Sequence, residues 1–179
     1  MRVLHVIFGL VSLLAVPLRA QDASVGASYT LLSLTYPDQI PNGFGGWLTW
    51  RFIDLGANLC PEDHPIIGRQ TQLFVGARTG VQFGGFGAYA RARPGLVHFG
   101  RRFMAPEIAC VAVFPPPEAC LIHATNFALD VGATVEFSPT PHAVFRIDTG
   151  DTVIRFSRTA LDPVWRHNLQ VSAGGGLRF

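Results

Sequence analysis

The chain has 179 residues, a length that fits one domain. Its 14 basic residues are all arginine, they face 12 carboxylates, and they form no basic cluster. That balance gives no footing for nucleic acid. Mean hydropathy is high at +0.30, yet no segment past the N-terminal stretch is a continuous apolar run of the roughly 20 residues that a spanning helix needs. Apolar residues must instead be dispersed along strands.

The first element is a signal peptide over residues 1–20. Arg2 supplies the positive end, residues 3–16 carry no Asp, Glu, Lys or Arg, and Pro17 breaks the run before Leu18-Arg19-Ala20. No Cys follows it, so a lipoprotein anchor is not expected. The mature chain, residues 21–179, starts at Gln21 and reads as one barrel domain. Arg2 and Arg19 leave with the signal, which brings the formal charge to zero.

Strict alternation then dominates. Over residues 126–137, Phe127, Leu129, Val131, Ala133, Val135 and Phe137 share one face, and Asn126, Ala128, Asp130, Gly132, Thr134 and Glu136 share the other. This is a strand with one apolar and one polar side. The same rule predicts eight strands at about 24–34, 45–52, 53–60, 70–83, 86–97, 125–137, 142–156 and 167–179. In the seventh, Phe145, Ile147 and Thr149 fall on the apolar phase, but so do Thr152, Ile154 and Phe156, which predicts a bulge near Thr149-Gly150. Connections near Phe52-Ile53, Gly84-Gly85 and residues 138–141 are short. Those at 35–44, 61–69, 98–124 and 157–166 are long. The expected fold is all-β, an eight-stranded antiparallel up-and-down transmembrane barrel with its short turns periplasmic.

The apolar face is assigned outward. The polar phase is rich in Gly and in charges of both signs, which suits a crowded lumen. Phe127 and Phe137 stand ten residues apart, and at about 3.3 Å per residue and a tilt near 40° they span roughly 25 Å, the height of a lipid-facing band. Trp50, Phe83, Phe86, Phe137 and Phe179 would form one aromatic girdle, and Phe99, Phe127, Phe156 and Trp165 the other. Phe74 falls on the polar phase and reads as ordinary packing. A soluble lipocalin-like barrel with an apolar ligand inside is the alternative.

The last stretch, residues 167–179, places Leu169, Val171, Ala173, Gly175, Leu177 and Phe179 at alternate positions and ends on the aromatic. It resembles the closing strand of bacterial outer-membrane barrels. The whole mature chain resembles the small barrels typified by the OmpA transmembrane domain and OmpX. The resemblance implies residence in the outer membrane of a Gram-negative-type bacterium as a monomer surrounded by lipid. It also implies that Phe179 and Leu177 are read by the barrel-assembly machinery. It implies no activity and no particular extracellular ligand; the long loops, 98–124 above all, are where recognition would reside.

The inward phase collects Asp54, Arg78, Arg91, Arg93, Asp130, Glu136, Arg146, Asp148, Asp151, Arg155 and Arg178. Eight strands leave room for side chains and little else, and desolvated charges need partners. The expectation is a lumenal ion-pair network that plugs the barrel, with a conduction path through the same pairs as the other reading. Cys110 and Cys120 flank Pro115-Pro116-Pro117 in the longest loop, and an exported chain permits a disulfide between them. Cys60 is the odd thiol and could compete for either. Neither metal nor cofactor is expected, since no His pairs at metal spacing with a Cys. His123-Ala124-Thr125-Asn126, with Glu136 downstream, resembles the motif of outer-membrane lipid A deacylases. Thr125 replaces the nucleophilic Ser of that motif, however, and Glu136 lies far along the same strand. The chain is therefore expected not to be an enzyme.

Overall fold

The structure is a computed structural model that describes residues 23–35, 40–64, 67–101, 122, 124–156 and 163–179. Nine β-segments run in order: β1 (Ala23–Ser33), β2 (Asn42–Trp50), β3 (Ile53–His64), β4 (Gly68–Phe83), β5 (Phe86–Phe99), β6 (Thr125–Thr140), β7 (Ala143–Phe156), β8 (Val164–Arg166) and β9 (Leu169–Arg178). Among the described residues there is no helix.

β1 to β7 pair antiparallel in chain order, β8 and β9 both pair with β7, and β9 returns to β1, so the sheet closes. β8 and β9 hold one register against β7, from Phe156↔Val164 to Ala143↔Leu177, and form a single barrel strand. The barrel therefore has eight strands. The ladder thins at His167 and Asn168, where Thr152 N still donates to Asn168 O at 2.7 Å and the Asn168 side chain adds to it: Nδ2 donates to Thr152 O at 2.8 Å and Oδ1 accepts from Thr35 N at 3.0 Å.

The register fixes the dimensions. Following Cα partners once round, Ala23 leads to Trp50, Ile53, Ala77, Ala92, Val131, Asp151, Leu169 and back to Ser33 on β1. The path returns ten residues above its start. Eight strands with that stagger tilt by about 40° and enclose a barrel of roughly 8 Å radius at the backbone. One rim carries two-residue turns: Arg51-Phe52, Gly84-Gly85 and Pro141-His142. Arg51, at φ 56°, and Gly84, at φ 57°, supply the left-handed backbone that tight hairpins demand. The other rim carries the remaining connections. β3 runs to His64 and β4 starts at Gly68, so most of the predicted connection at 61–69 is strand.

Alternation survives along every strand, with one correction. β7 pairs with β6 in unbroken register from Arg155↔Phe127 to Phe145↔Phe137, so Thr149-Gly150 holds no bulge. Thr152, Ile154 and Phe156 continue the inward phase of Arg146 and Asp148. What changes at Thr149-Gly150 is the chemistry of the lumen, which turns apolar toward the loop rim. The register shifts lie elsewhere, between Phe137 and Thr140 at the turn rim and between Cys60 and His64 at the loop rim. Pro139, which has no N–H to give a ladder, sits in the first of these.

Candidate functional site

The outer wall is apolar. Leu48, Leu59, Leu73, Val75, Leu96, Val131, Val135, Ile147 and Leu177 are all exposed there. Trp50, Phe83, Phe86, Phe137, Phe145 and Phe179 stand at the turn rim, and Phe127 and Trp165 at the loop rim with rings edge to face at 6.3 Å. The other two members proposed for that upper girdle, Phe99 and Phe156, point inward instead and stack on each other at 6.0 Å, fully buried.

Inside, three levels follow one another. The level nearest the turn rim is ionic. Arg146 Nη2 meets Asp54 Oδ2 at 2.8 Å and Arg146 Nε meets Asp148 Oδ2 at 2.8 Å. Asp148 also pairs with Arg91, and Arg91 Nε meets Asp130 Oδ2 at 2.9 Å. Arg93 Nη2 meets the same Asp130 oxygen at 2.7 Å, and Arg93 Nη1 returns to Asp54 Oδ2 at 3.6 Å. The three arginines and three aspartates thus alternate in a closed ring. Arg78 and Glu136 form an attached pair, with Glu136 Oε1 4.0 Å from Arg146 Nη1. Four positive and four negative groups cancel, which the burial of all eight requires: an unpaired ion here would cost several kcal/mol in desolvation.

Arene faces close the gaps. The guanidinium of Arg78 lies 4.4 Å from the Tyr89 ring centroid, that of Arg146 5.5 Å from Trp47, and that of Arg93 5.7 Å from Phe74. Trp47 fits only because Gly26 stands beneath its indole; a Cβ there would overlap the ring.

The middle level is polar and uncharged. Thr30 Oγ1 donates to Asn58 Oδ1 at 3.0 Å and lies 2.9 Å from Ser172 Oγ, and Asn58 Nδ2 donates to Gln72 Oε1 at 2.9 Å. This arc passes across β2 at Gly45, where a Cβ would collide with Asn58 Oδ1. The level nearest the loop rim is an apolar cap of Leu32, Leu34, Ile67, Val97, Phe99, Ile122, Ile154 and Phe156. Ile67 and Ile122 come from outside the strands and are buried in this cap. Burying each large side chain here contributes about 1.5–3 kcal/mol.

Eight of the eleven charges assigned inward from sequence meet in the ionic level. Two do not face the lumen. Arg155 is exposed on the outer wall, 5.9 Å from the Trp165 ring, and Asp151 lies on the same wall with Oδ2 2.5 Å from His167 Nδ1. Both were placed by the supposed bulge, and without it their phase is outward. Arg178 is at the turn rim, where Nη2 donates to Gln82 Oε1 at 2.7 Å and Nη1 to Ser138 Oγ at 3.3 Å. Cys110, Cys120 and His123 lie outside the described residues, and Cys60 is a buried free thiol. Thr125 Oγ1 shares a hydrogen bond with His98 Nδ1, 2.8 Å away, at the loop rim, while Glu136 pairs with Arg78 at the other end of β6. These groups do not form a hydroxyl–His–carboxylate set. Among the described residues no cluster of His, Cys, Asp and Glu is arranged to hold a metal. Sequence reasoning missed Trp47, the Thr30–Asn58–Gln72 arc and the apolar cap; alternation places all of them inward, but polarity alone gave no reason to single them out.

A closed eight-stranded antiparallel barrel, apolar outside and charged within, is the fold of the small outer-membrane barrels. Solved structures bear this out. Neisserial surface protein A (NspA) is similar at TM-score 0.55 and 13% identity, covering 90% of this chain and 98% of its own. The outer membrane protein OprG of Pseudomonas aeruginosa gives 0.56 and 11%, covering 90% and 97%. Ail, the attachment invasion locus protein of Yersinia pestis, gives 0.50 and 14%, covering 89% and 98%. At these identities the likeness is one of fold. No protein-family description and no curated protein matches the sequence.

Proposed function

We propose that the chain is a bacterial outer-membrane barrel with a structural or surface-binding role in the envelope, its lumen closed rather than conducting. The observation that carries this reading is the contrast between the two faces of one sheet. The outer wall offers a band of exposed aliphatic and aromatic side chains that only lipid would cover. The inner wall sets four arginines against four carboxylates across a space that side chains fill. A soluble ligand-binding barrel has the reverse polarity.

Lipid is the partner of the outer wall, and the barrel-assembly machinery that of the C-terminal strand bearing Leu177 and Phe179. An extracellular ligand would meet the loops, the segment 98–124 foremost. A role other than catalysis is favoured by the distance between Thr125 and Glu136. Cell fractionation with heat-modifiable gel mobility tests the reading. The protein should pellet with the outer membrane and migrate faster unboiled than boiled. Periplasmic protein whose mobility ignores boiling overturns it.

A further inference from the structure

The aromatic girdle at the turn rim is continuous on one side of the barrel and broken on the other. Phe83, Phe86, Phe137 and Phe145 are successive partners across β4 to β7, and the Phe86 and Phe137 rings lie 4.7 Å apart. Across β9, β1 and β2 the same rim reads Phe179, Ala23, Trp50. Phe179 N donates to Ala23 O at 2.8 Å, and Ala23 is the Cα partner of Trp50. An alanine thus stands between two large rings that are 66% and 55% exposed. One outward step higher, Val25 is flanked by Leu177 and Leu48, which close the gap from above. The result is a groove of about 330 Å³ on the outer wall, floored by Ala23 and walled by Trp50, Phe179, Val25 and Leu48.

The groove is apolar. Ser24 and Thr49 also border it, but their hydroxyls lie 2.7 Å apart and bond to each other, and Thr49 Oγ1 accepts from Arg78 in the lumen. The volume lies at the lower end of small-molecule sites, roughly 300–1,000 Å³. The mouth carries a cation. Arg51 follows Trp50 in the turn, and its guanidinium lies 5.6 Å from the Trp50 ring centroid. Arg51 is the one described non-glycine residue at positive φ, 56°, in a hairpin position that Gly, Asn or Asp usually takes. Backbone ease therefore does not account for an arginine there. The other arginine at this rim, Arg178, is already held by Gln82 and Ser138.

An occupant has to match both parts. The groove suits a slender apolar chain, and its mouth suits an anion that a guanidinium fork can grip. A phospholipid carries both in one molecule, and an aromatic girdle sits at the level of lipid headgroups. A neutral lipid would leave Arg51 idle, and a free phosphate ion would leave the groove empty. We propose that the groove beside Ala23 is a phospholipid site: one acyl chain lies between Trp50 and Phe179, and the phosphate pairs with Arg51. This rests on the lipid-covered outer wall of the functional reading and adds that one lipid at the turn rim is bound rather than passing.

Bromine quenches indole fluorescence on contact, so brominated lipids report on Trp50. The refolded mature chain carrying Trp165→Phe, in maltoside micelles that hold no phosphate, retains Trp47 and Trp50. Trp47 is inside the lumen and 5% exposed, so quenching by lipid reads Trp50. Brominated phosphatidylglycerol should quench it saturably, at one lipid per barrel. Brominated diacylglycerol, with the same chains and no phosphate, should bind roughly tenfold more weakly. Arg51→Asn suits the turn and should shift the phosphatidylglycerol midpoint to that of diacylglycerol, while Arg51→Lys should keep part of the difference. Ala23→Leu fills the groove and should abolish the saturable quenching. Heat-modifiable mobility verifies the folding of each variant. Equal midpoints for the two lipids, unmoved by Arg51→Asn, would overturn the site and leave ordinary lipid against the wall. Unsaturable quenching that Ala23→Leu does not change would overturn it as well. Trp50 unquenched by brominated lipid in vesicles would remove both the site and the lipid-covered wall, so the two failures can be told apart.

Discussion

Arg146 on β7 reaches the carboxylate of Asp54 on β3, 2.8 Å away, and these two strands lie on opposite walls of the barrel. One side chain from each wall thus spans the full width of the lumen. No wide path remains beside this pair, because Asp148, Glu136 and Trp47 crowd the same arginine. Closure is what makes this pair: Arg93 already faces Asp130 across the β5–β6 ladder and Arg146 has Asp148 two residues along its own strand, but Arg146 meets Asp54 only once the sheet has closed.

Removing one member should therefore be far worse than removing both. Asp54→Ala leaves Arg146 and Arg93 short of a counter-ion in a desolvated space, and a loss of about 3–5 kcal/mol is expected. Asp54→Leu combined with Arg146→Met replaces the pair with apolar bulk and should recover most of that loss. Urea unfolding of the refolded barrel in lipid vesicles measures both. A double variant as unstable as the single one would mean that the pair contributes more than mutual neutralisation.

The apolar cap makes a second claim. Phe156 was assignable from sequence to an outer girdle with Phe127, but the fold buries it against Phe99. Phe156→Ala should cost about 3–5 kcal/mol, the usual penalty for emptying an aromatic core site. Phe127→Ala, on the lipid side and half exposed, should cost clearly less. Equal losses in vesicle unfolding would return Phe156 to the outer wall.

How these two phenylalanines differ shows how far the sequence could be read. Strand number, turn positions and most of the outward face followed from period two, because one buried and one lipid-facing side leave that mark on any strand. The inward charges Asp54, Arg91, Asp130 and Arg146 were found the same way. The reading failed where the lumen itself turns apolar. At Thr152, Ile154 and Phe156 both sides of β7 are hydrophobic or mixed, so polarity no longer tells in from out, and a bulge in β7 accounts for the pattern as well as straight alternation does. Only the pairing with β6 decides, through Leu129↔Val153 and Ala128↔Ile154. That pairing is set by residues some two dozen positions away. Asp151 and Arg155 were misplaced for the same reason.

The lipid face can be probed by depth. Ala133 is exposed on the outer wall of β6, about midway between Phe127 and Phe137. Ala133→Arg should cost about 2–4 kcal/mol, whereas Thr125→Arg at the rim should cost roughly 0–1. Refolding equilibria in vesicles give both numbers. A barrel carrying Arg at 133 that is as stable as wild type would mean that this wall is not covered by lipid.

Thiol chemistry addresses the longest loop. The mature protein, unfolded without reductant, should titrate for one free thiol, and mass mapping should assign it to Cys60 and link Cys110 to Cys120. In the folded state even that thiol should resist labelling, since Cys60 is 1% exposed. The closed loop is short, so reduction should loosen the loop while leaving barrel unfolding nearly unchanged. Three free thiols, or a bridge through Cys60, would reject the staple.

Phe179 tests assembly apart from stability. Its backbone N donates to Ala23 O at 2.8 Å and so helps close the sheet between its two ends. Its ring is 66% exposed on the outer wall, where seating at the lipid interface would contribute at most a few kcal/mol. Deleting Phe179 removes one rim hydrogen bond and that ring, a small share of a barrel held by eight ladders. The truncated chain, refolded in detergent, should still give a heat-modifiable band. In cells the same deletion should sharply lower the amount reaching the outer membrane, because the closing strand, with Leu177 and Phe179 in alternate positions, is what the assembly machinery would read. Equal loss in both settings would make Phe179 a structural residue only. Undiminished assembly in cells would deny the terminal strand its role as an address.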